Sequence, residues 1–254
     1  MSPVMSGTQI DRRVLGGFLF LDAVTGESVT DPLAVSDTSL TLRVNRSGVY
    51  AIMDAPGFSN LNTEFDPLPD WPATGGPLFE ITVQEIISQG RSSQYLPRRA
   101  QVSAPQSLAS LATPQKVTLY AGPSGHIEPN WAIIRASVAD GTGAGLPWAV
   151  LQVIRSDNSV AATGLTDASG EAMLAVPGLG LQVSAGSSGA VTETTIPVTV
   201  QAWFDPSTLQ QPAGWVPNPD DILNNLSNAS LKTNKMTGAL GAGQTLFAAI
   251  TISV

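Results

Sequence analysis

The chain has 254 residues, enough for one large or two ordinary domains. Only 13% are charged, with 12 basic against 20 acidic residues and a net charge of −8, which disfavours long solvated helices and makes phosphate backbones and anionic lipid headgroups poor partners. With no cysteine and a single histidine, His126, disulfides, thiolate nucleophiles and two-histidine metal sites are excluded.

Glycine and proline supply 43 of the 254 residues, which favours many short strands joined by turns. The expected class is all-β. At the start, Arg12-Arg13 precede the apolar run VLGGFLFL, residues 14–21. The run is too short for an export signal and stops at Asp22, so it is read as a buried strand. No other stretch approaches the roughly 18 apolar residues of a membrane span. The protein is therefore expected in the cytoplasm, without membrane insertion.

The chain repeats itself. Residues 18–29 read FLFLDAVTGESV, 45–58 read NRSGVYAIMDAPGF and 77–84 read PLFEITVQ. In the same order, 136–154 read ASVADGTGAGLPWAVLQVI, 166–179 read TDASGEAMLAVPGL and 195–204 read TIPVTVQAWF. Asp22 and Asp140 lie 118 residues apart, Gly48 and Gly170 lie 122 apart, and Pro56 and Pro177 lie 121 apart. Such a narrow spread fits a duplicated domain with turns of varying length. Within each copy, an alternating strand ends at an Asp before a Gly-containing turn. A Ser-Gly pair then opens a half-buried strand, and Pro-Gly closes it.

Residues 102–116, VSAPQSLASLATPQK, are read as a closing strand or connector, and the boundary is placed near Thr113. The expected domains are thus 1–113 and 114–254, the second with a helix-strand extension. In that extension, PNPDDILNNLSNASL (217–231) predicts one short helix with Asp220 and Asp221 in its first turn. GALGAG (238–243) predicts a turn, and QTLFAAITISV (244–254) a closing strand.

Gly145, Pro147 and Val150, followed by an alternating run and then Thr166, Asp167 and Gly170, resemble the carboxypeptidase regulatory-like, or transthyretin-like, β-sandwich family. The first half looks like a more divergent copy without the G-x-P element. The resemblance implies two tandem Greek-key-type β-sandwiches with no catalytic residues of their own. The low charge and the acidic helix plus strand also resemble small components of phage-tail-like contractile injection particles.

No candidate chemistry rises above a structural reading. His126 lies in a Gly/Pro-rich loop near Glu128 and is expected to cap local backbone; a G-x-S-x-G elbow is absent. Asp220 and Asp221 are helix-start residues. DGTGAG from Asp140 and DASGE from Asp167 lack the spacing of a calcium loop, and GALGAG lacks the ending of a P-loop. Catalytic, cofactor and metal residues are accordingly expected to be none. Trp71, Trp131, Trp148, Trp203 and Trp215 are read as core plugs, with an exposed aromatic platform as the alternative.

The expected function is that of a non-enzymatic structural or adaptor subunit. Its partners would be other protein subunits in a ring or tube, met through sandwich edges and the closing strand. The alternative is a carbohydrate- or surface-binding module. Three or more carboxylates gathered in one deep pocket would favour an enzyme instead.

Overall fold

A computed structural model of the chain describes residues 14–36, 39–63, 70–87, 92–179, 184–185, 191–192 and 195–254. The fold is nearly all β, of the β-sandwich type. The strands of the first half are β1 (Gly16–Asp22), β2 (Leu33–Ser36), β3 (Thr41–Val44), β4 (Tyr50–Asp54), β5 (Leu78–Glu85), β6 (Arg98–Ser103) and β7 (Gln115–Leu119). They form two sheets, ordered β3-β4-β1-β7 and β2-β5-β6. The second half contains β8 (Ala132–Ala139), β9 (Val150–Arg155), β10 (Val160–Leu165), β11 (Glu171–Val176), β14 (Ile196–Phe204), β15 (Lys232–Leu240) and β16 (Thr245–Thr251). Its sheets are ordered β11-β8-β16 and β10-β9-β14-β15, beside a small ribbon of β12 (Ser184–Ala185) and β13 (Val191–Thr192).

The two sets of seven strands share one topology when β1 is matched with β8, β4 with β11, β5 with β14 and β7 with β16. One strand differs. In the first half the third strand, β3, pairs with β4, whereas in the second half its counterpart β10 pairs with β9. A tight turn at 155–159 coincides with the change: Asn158 takes a left-handed φ of 65° and the Arg155 N–H donates to Ser159 O at 2.9 Å, folding β10 directly back onto β9.

The repeated turns are built alike, from bonds within five residues. Asn45 Oδ1 accepts the N–H groups of Ser47 and Val49, at 2.9 and 3.0 Å. Asp140 Oδ1 accepts those of Thr142 and Ala144, at 2.8 and 3.0 Å, and Asp167 Oδ1 those of Ser169 and Glu171, also at 2.8 and 3.0 Å. Gly48, Gly143 and Gly170 sit in the fourth position with φ of 75°, 90° and 86°. This is a three-residue hairpin loop whose last residue is left-handed, reinforced by a side-chain acceptor.

By contacts the chain divides into two compact units. One comprises Met1–Phe20, Asp37–Ile81 and Gln101–Val117; the other comprises Leu21–Ser36, Thr82–Ala100 and Thr118–Val254. The division crosses the chain five times, where the sequence reading places one boundary near Thr113. In the first unit Phe18, Phe20 and Tyr50 form an aromatic cluster, with Phe18 stacked on Tyr50 at 5.4 Å and Phe20 edge-on to it at 5.3 Å. In the second unit the core lies between the two β8-to-β16 sheets and includes Ile134, Leu146, Leu151, Val200, Phe204 and Ile250.

Three local expectations need correction. Besides the expected helix, α2 (Pro219–Leu223), there is a second, α1 (Ser59–Thr63), and a 3-10 turn at Pro206–Gln210. Elements of five residues are too short to show a helical period. GALGAG is not all turn: Gly238, Ala239 and Leu240 still belong to β15, and Gly238 is tolerated there because Leu246 fills the space its side chain would occupy. The stretch 102–116 begins as the end of β6 and finishes as the start of β7. Among the described residues, no helix is long and apolar enough to cross a membrane.

Candidate functional site

Among the described residues, several concave sites lie within the second unit, and two of them gather candidate side chains. The first is an acidic cleft of about 320 Å³, lined by Asp22, Glu27, Asp31 and Glu85 together with Tyr95 and His126. These carboxylates come from distant segments, so nothing in the order of residues pairs them. Two of them are occupied by structural work. Asp22 Oδ1 accepts the N–H groups of Val24 and Thr25, at 2.7 and 2.8 Å, and Asp22 Oδ2 accepts the Tyr95 hydroxyl at 2.9 Å. Glu85 Oε2 accepts the N–H groups of Gln94 and Tyr95, at 2.6 and 3.2 Å, which ties down the segment before β6. Burial, the bond to Asp22 and the surrounding negative charges push the Tyr95 hydroxyl pKa well above its usual range.

His126 does not cap backbone as expected. Its Nε2 pairs with Glu128 Oε1 at 2.8 Å on an exposed loop, and its ring stands edge-on to Trp131 at 6.0 Å. A histidine oriented by a carboxylate is half of a nucleophile-activating arrangement, but among the described residues no hydroxyl is hydrogen-bonded to this ring. The turn acids Asp140 and Asp167 direct an oxygen each at backbone N–H groups of their own turns. Among the described residues, no group of three or more His, Asp or Glu side chains is placed to hold a metal ion.

The second site is a groove of about 500 Å³ walled by Trp148, Trp215 and Leu209, with prolines 97, 147 and 212 along its sides. Its polar lining is neutral: Gln84, Thr208 and Gln211. The position of Trp148 follows from the G-L-P-W-A segment. Gly145 is required because a Cβ there would lie 1.9 Å from Ser169 O. Leu146 and Ala149 are anchored in the core at 2% and 0% exposure. Between them Trp148 adopts φ 63°, a conformation costing about 1–3 kcal/mol for a bulky residue, and its side chain is half-buried, packed against the cluster of Val150, Leu165 and Trp203 while also lining the groove. Buried Thr166 holds the bulge closed: its Oγ1 donates to Leu146 O at 2.9 Å and accepts the Ala149 N–H at 2.8 Å.

Trp215 is fixed from the β6 side. The Arg99 guanidinium lies 4.8 Å from the centre of its ring, and Arg99 Nε donates to Val216 O at 2.8 Å. Of the five tryptophans only Trp203 is buried in a core, at 7% exposure. Trp71, Trp131, Trp148 and Trp215 are half-buried; Trp131 and Trp148 pack against buried clusters as expected of core plugs, while Trp71 and Trp215 belong to none of the clusters among the described residues. Trp71 spends its indole N–H on Gln106 O at 2.6 Å.

The sheet edges are a third feature. β16 pairs with β8 in parallel and ends its sheet. Along β16, Ala248 and Ile250 point into the core while Thr245, Phe247, Ala249 and Thr251 are exposed, Phe247 at 74%. The strand carries no charge. The edge strand β15 differs, bearing Lys232 and Lys235, the residue type that discourages edge pairing.

No protein-family model matches the chain. No curated protein matches it either. Among solved structures, the TIE protein of Bacillus anthracis is similar at 12% identity and a TM-score of 0.26, covering 94% of this chain and 33% of its own. The minor pilin of Streptococcus agalactiae is similar at 8% identity and a TM-score of 0.24, covering 94% and 95%. The chain therefore spans about a third of the length of the TIE protein.

Proposed function

We propose that the chain is a non-enzymatic structural or adaptor subunit of a multiprotein assembly, built in the cytoplasm and joined to other protein subunits through its sandwich edges. The observation that carries this reading is the edge of β16, an uncharged strand that presents Phe247 at 74% exposure. Exposed apolar edges without lysine or proline invite strand addition from another chain. The cleft does gather more than three carboxylates, the arrangement that would favour an enzyme; it is read as structural because Asp22 and Glu85 hold backbone turns, which leaves only Glu27 and Asp31 for chemistry.

The finer assignment is to a phage-tail-like contractile injection particle, on the strength of the sequence resemblance. It is tested by co-expression with tube, sheath and baseplate proteins, followed by co-purification. Deleting residues 244–254 is a poor test, because it also removes Ala248, Ile250 and Ile252 from the core. Phe247→Glu and Ala249→Lys change only exposed positions. They are expected to leave the melting temperature unchanged and to abolish co-purification; co-purification that survives both substitutions would refute the edge reading.

A further inference from the structure

We infer that the Trp148–Trp215 groove binds a proline-rich segment of a partner protein in the extended polyproline conformation. This rests on the groove alone and is independent of the assembly reading. The groove carries no charged side chain although the chain has a net charge of −8, so its ligand is neutral where it touches. Among the described residues the indole N–H groups of Trp148 and Trp215 have no hydrogen-bond partner, and neither is a buried unsatisfied atom, so both are open to solvent. An indole N–H can only donate.

The complementary ligand is one rich in acceptors and poor in donors. A polyproline segment fits this description: proline has no N–H, and its carbonyls make no internal hydrogen bonds. Aromatic ridges with apolar slots between them are the usual receptor for such segments. A neutral glycan would also stack on indoles, and the titration with maltohexaose separates it from a proline-rich segment. The ridges are held in place before binding, Trp148 by the Thr166 clamp and Trp215 by Arg99. Such preorganisation lowers the entropy cost of association.

The test is calorimetric titration of the full chain with decaproline, a glycine-serine decapeptide and maltohexaose. Decaproline alone is expected to give saturable heat, with little change between low and high salt. Trp215→Ala and Leu209→Asp are each expected to weaken it about tenfold or more. Leu209 is 54% exposed, so its substitution leaves the fold intact even if loss of Trp215 does not. The inference is overturned if decaproline behaves like the glycine-serine peptide, if its binding survives Leu209→Asp, or if maltohexaose binds in its place.

Discussion

The guanidinium of Arg98, on β6 and only 1% exposed, donates from Nη2 to Asp220 Oδ2 at 2.5 Å, in the first turn of α2. The same nitrogen donates to Asn218 Oδ1 at 3.2 Å, and Nη1 donates to Thr118 O at 2.6 Å. A buried charge is tolerated only when its donors are satisfied. The pair therefore couples α2 to β6, far from it in the chain, and the two halves of the pair are unequal, since the Asp220 side chain is 45% exposed. Arg98→Met is expected to cost about 3 kcal/mol and Asp220→Asn about 1 kcal/mol. Urea denaturation measures both, and equal stability of Arg98→Met and the parent would contradict the coupling.

Thr166 offers a second substitution pair. Thr166→Val removes the acceptor of the Ala149 N–H inside the core and should destabilise the fold by about 1–3 kcal/mol. Thr166→Ser keeps the hydroxyl and should cost less. The Val variant should also shift the fluorescence of Trp148, since the Leu146–Ala149 segment that Thr166 ties together sets the burial of that indole; the Ser variant should not.

Glycines in the repeated turns separate sterics from backbone conformation. Gly145→Ala would drive a Cβ into Ser169 O, and Gly170→Ala would place one 2.6 Å from Val138 O, so both should fail to fold or melt far below the parent. Gly143→Ala meets nothing within 4 Å and should cost about 1 kcal/mol, from its left-handed φ alone. Thermal melts by circular dichroism distinguish the two classes.

Alkaline stability follows from the tyrosines. Burial pushes the Tyr120 hydroxyl up to about 12, with Arg98 opposing and Asp220 adding to the shift. The folded pKa lies above the unfolded one, so this stabilisation is complete below pH 10 and is lost as pH rises towards 12. Tyr50 and Tyr95 shift in the same direction. The midpoint of denaturant unfolding should therefore fall steadily from pH 10 to 12, and absorbance at 295 nm should show tyrosines ionising late in the folded protein. On the acid side, Asp140 and Asp157 are held low, Asp140 chiefly by the Thr142 hydroxyl and Asp157 by Ser159, whose N–H donates to the Asp157 Oδ1 at 2.9 Å. Their contribution is present above the ordinary aspartate pKa and lost as pH falls through the lowered one.

Much of the fold was legible beforehand, and particular residues show why. Asn45, Asp140 and Asp167 each announce their turn because every bond they make lies within four residues. Pro219 with Asp220 and Asp221 marks the helix for the same reason: Asn218 Oδ1 accepts the Asp220 N–H two residues away. The acidic cleft was not legible, because Asp22 and Tyr95 are 73 residues apart and nothing near either names the other. Trp148 and Trp215 were visible as residues, but not as two walls of one groove.

By itself, then, the order of residues determined the turns, the strand alternation and their recurrence in the two halves, since these depend on backbone preferences and bonds between near neighbours. Tertiary structure alone decided that β10 pairs with β9 where β3 pairs with β4, that β16 runs parallel to β8, and that one tryptophan is buried while four are half-buried. Those outcomes turn on which distant segments meet, and closing such long loops is favourable only when many contacts form together.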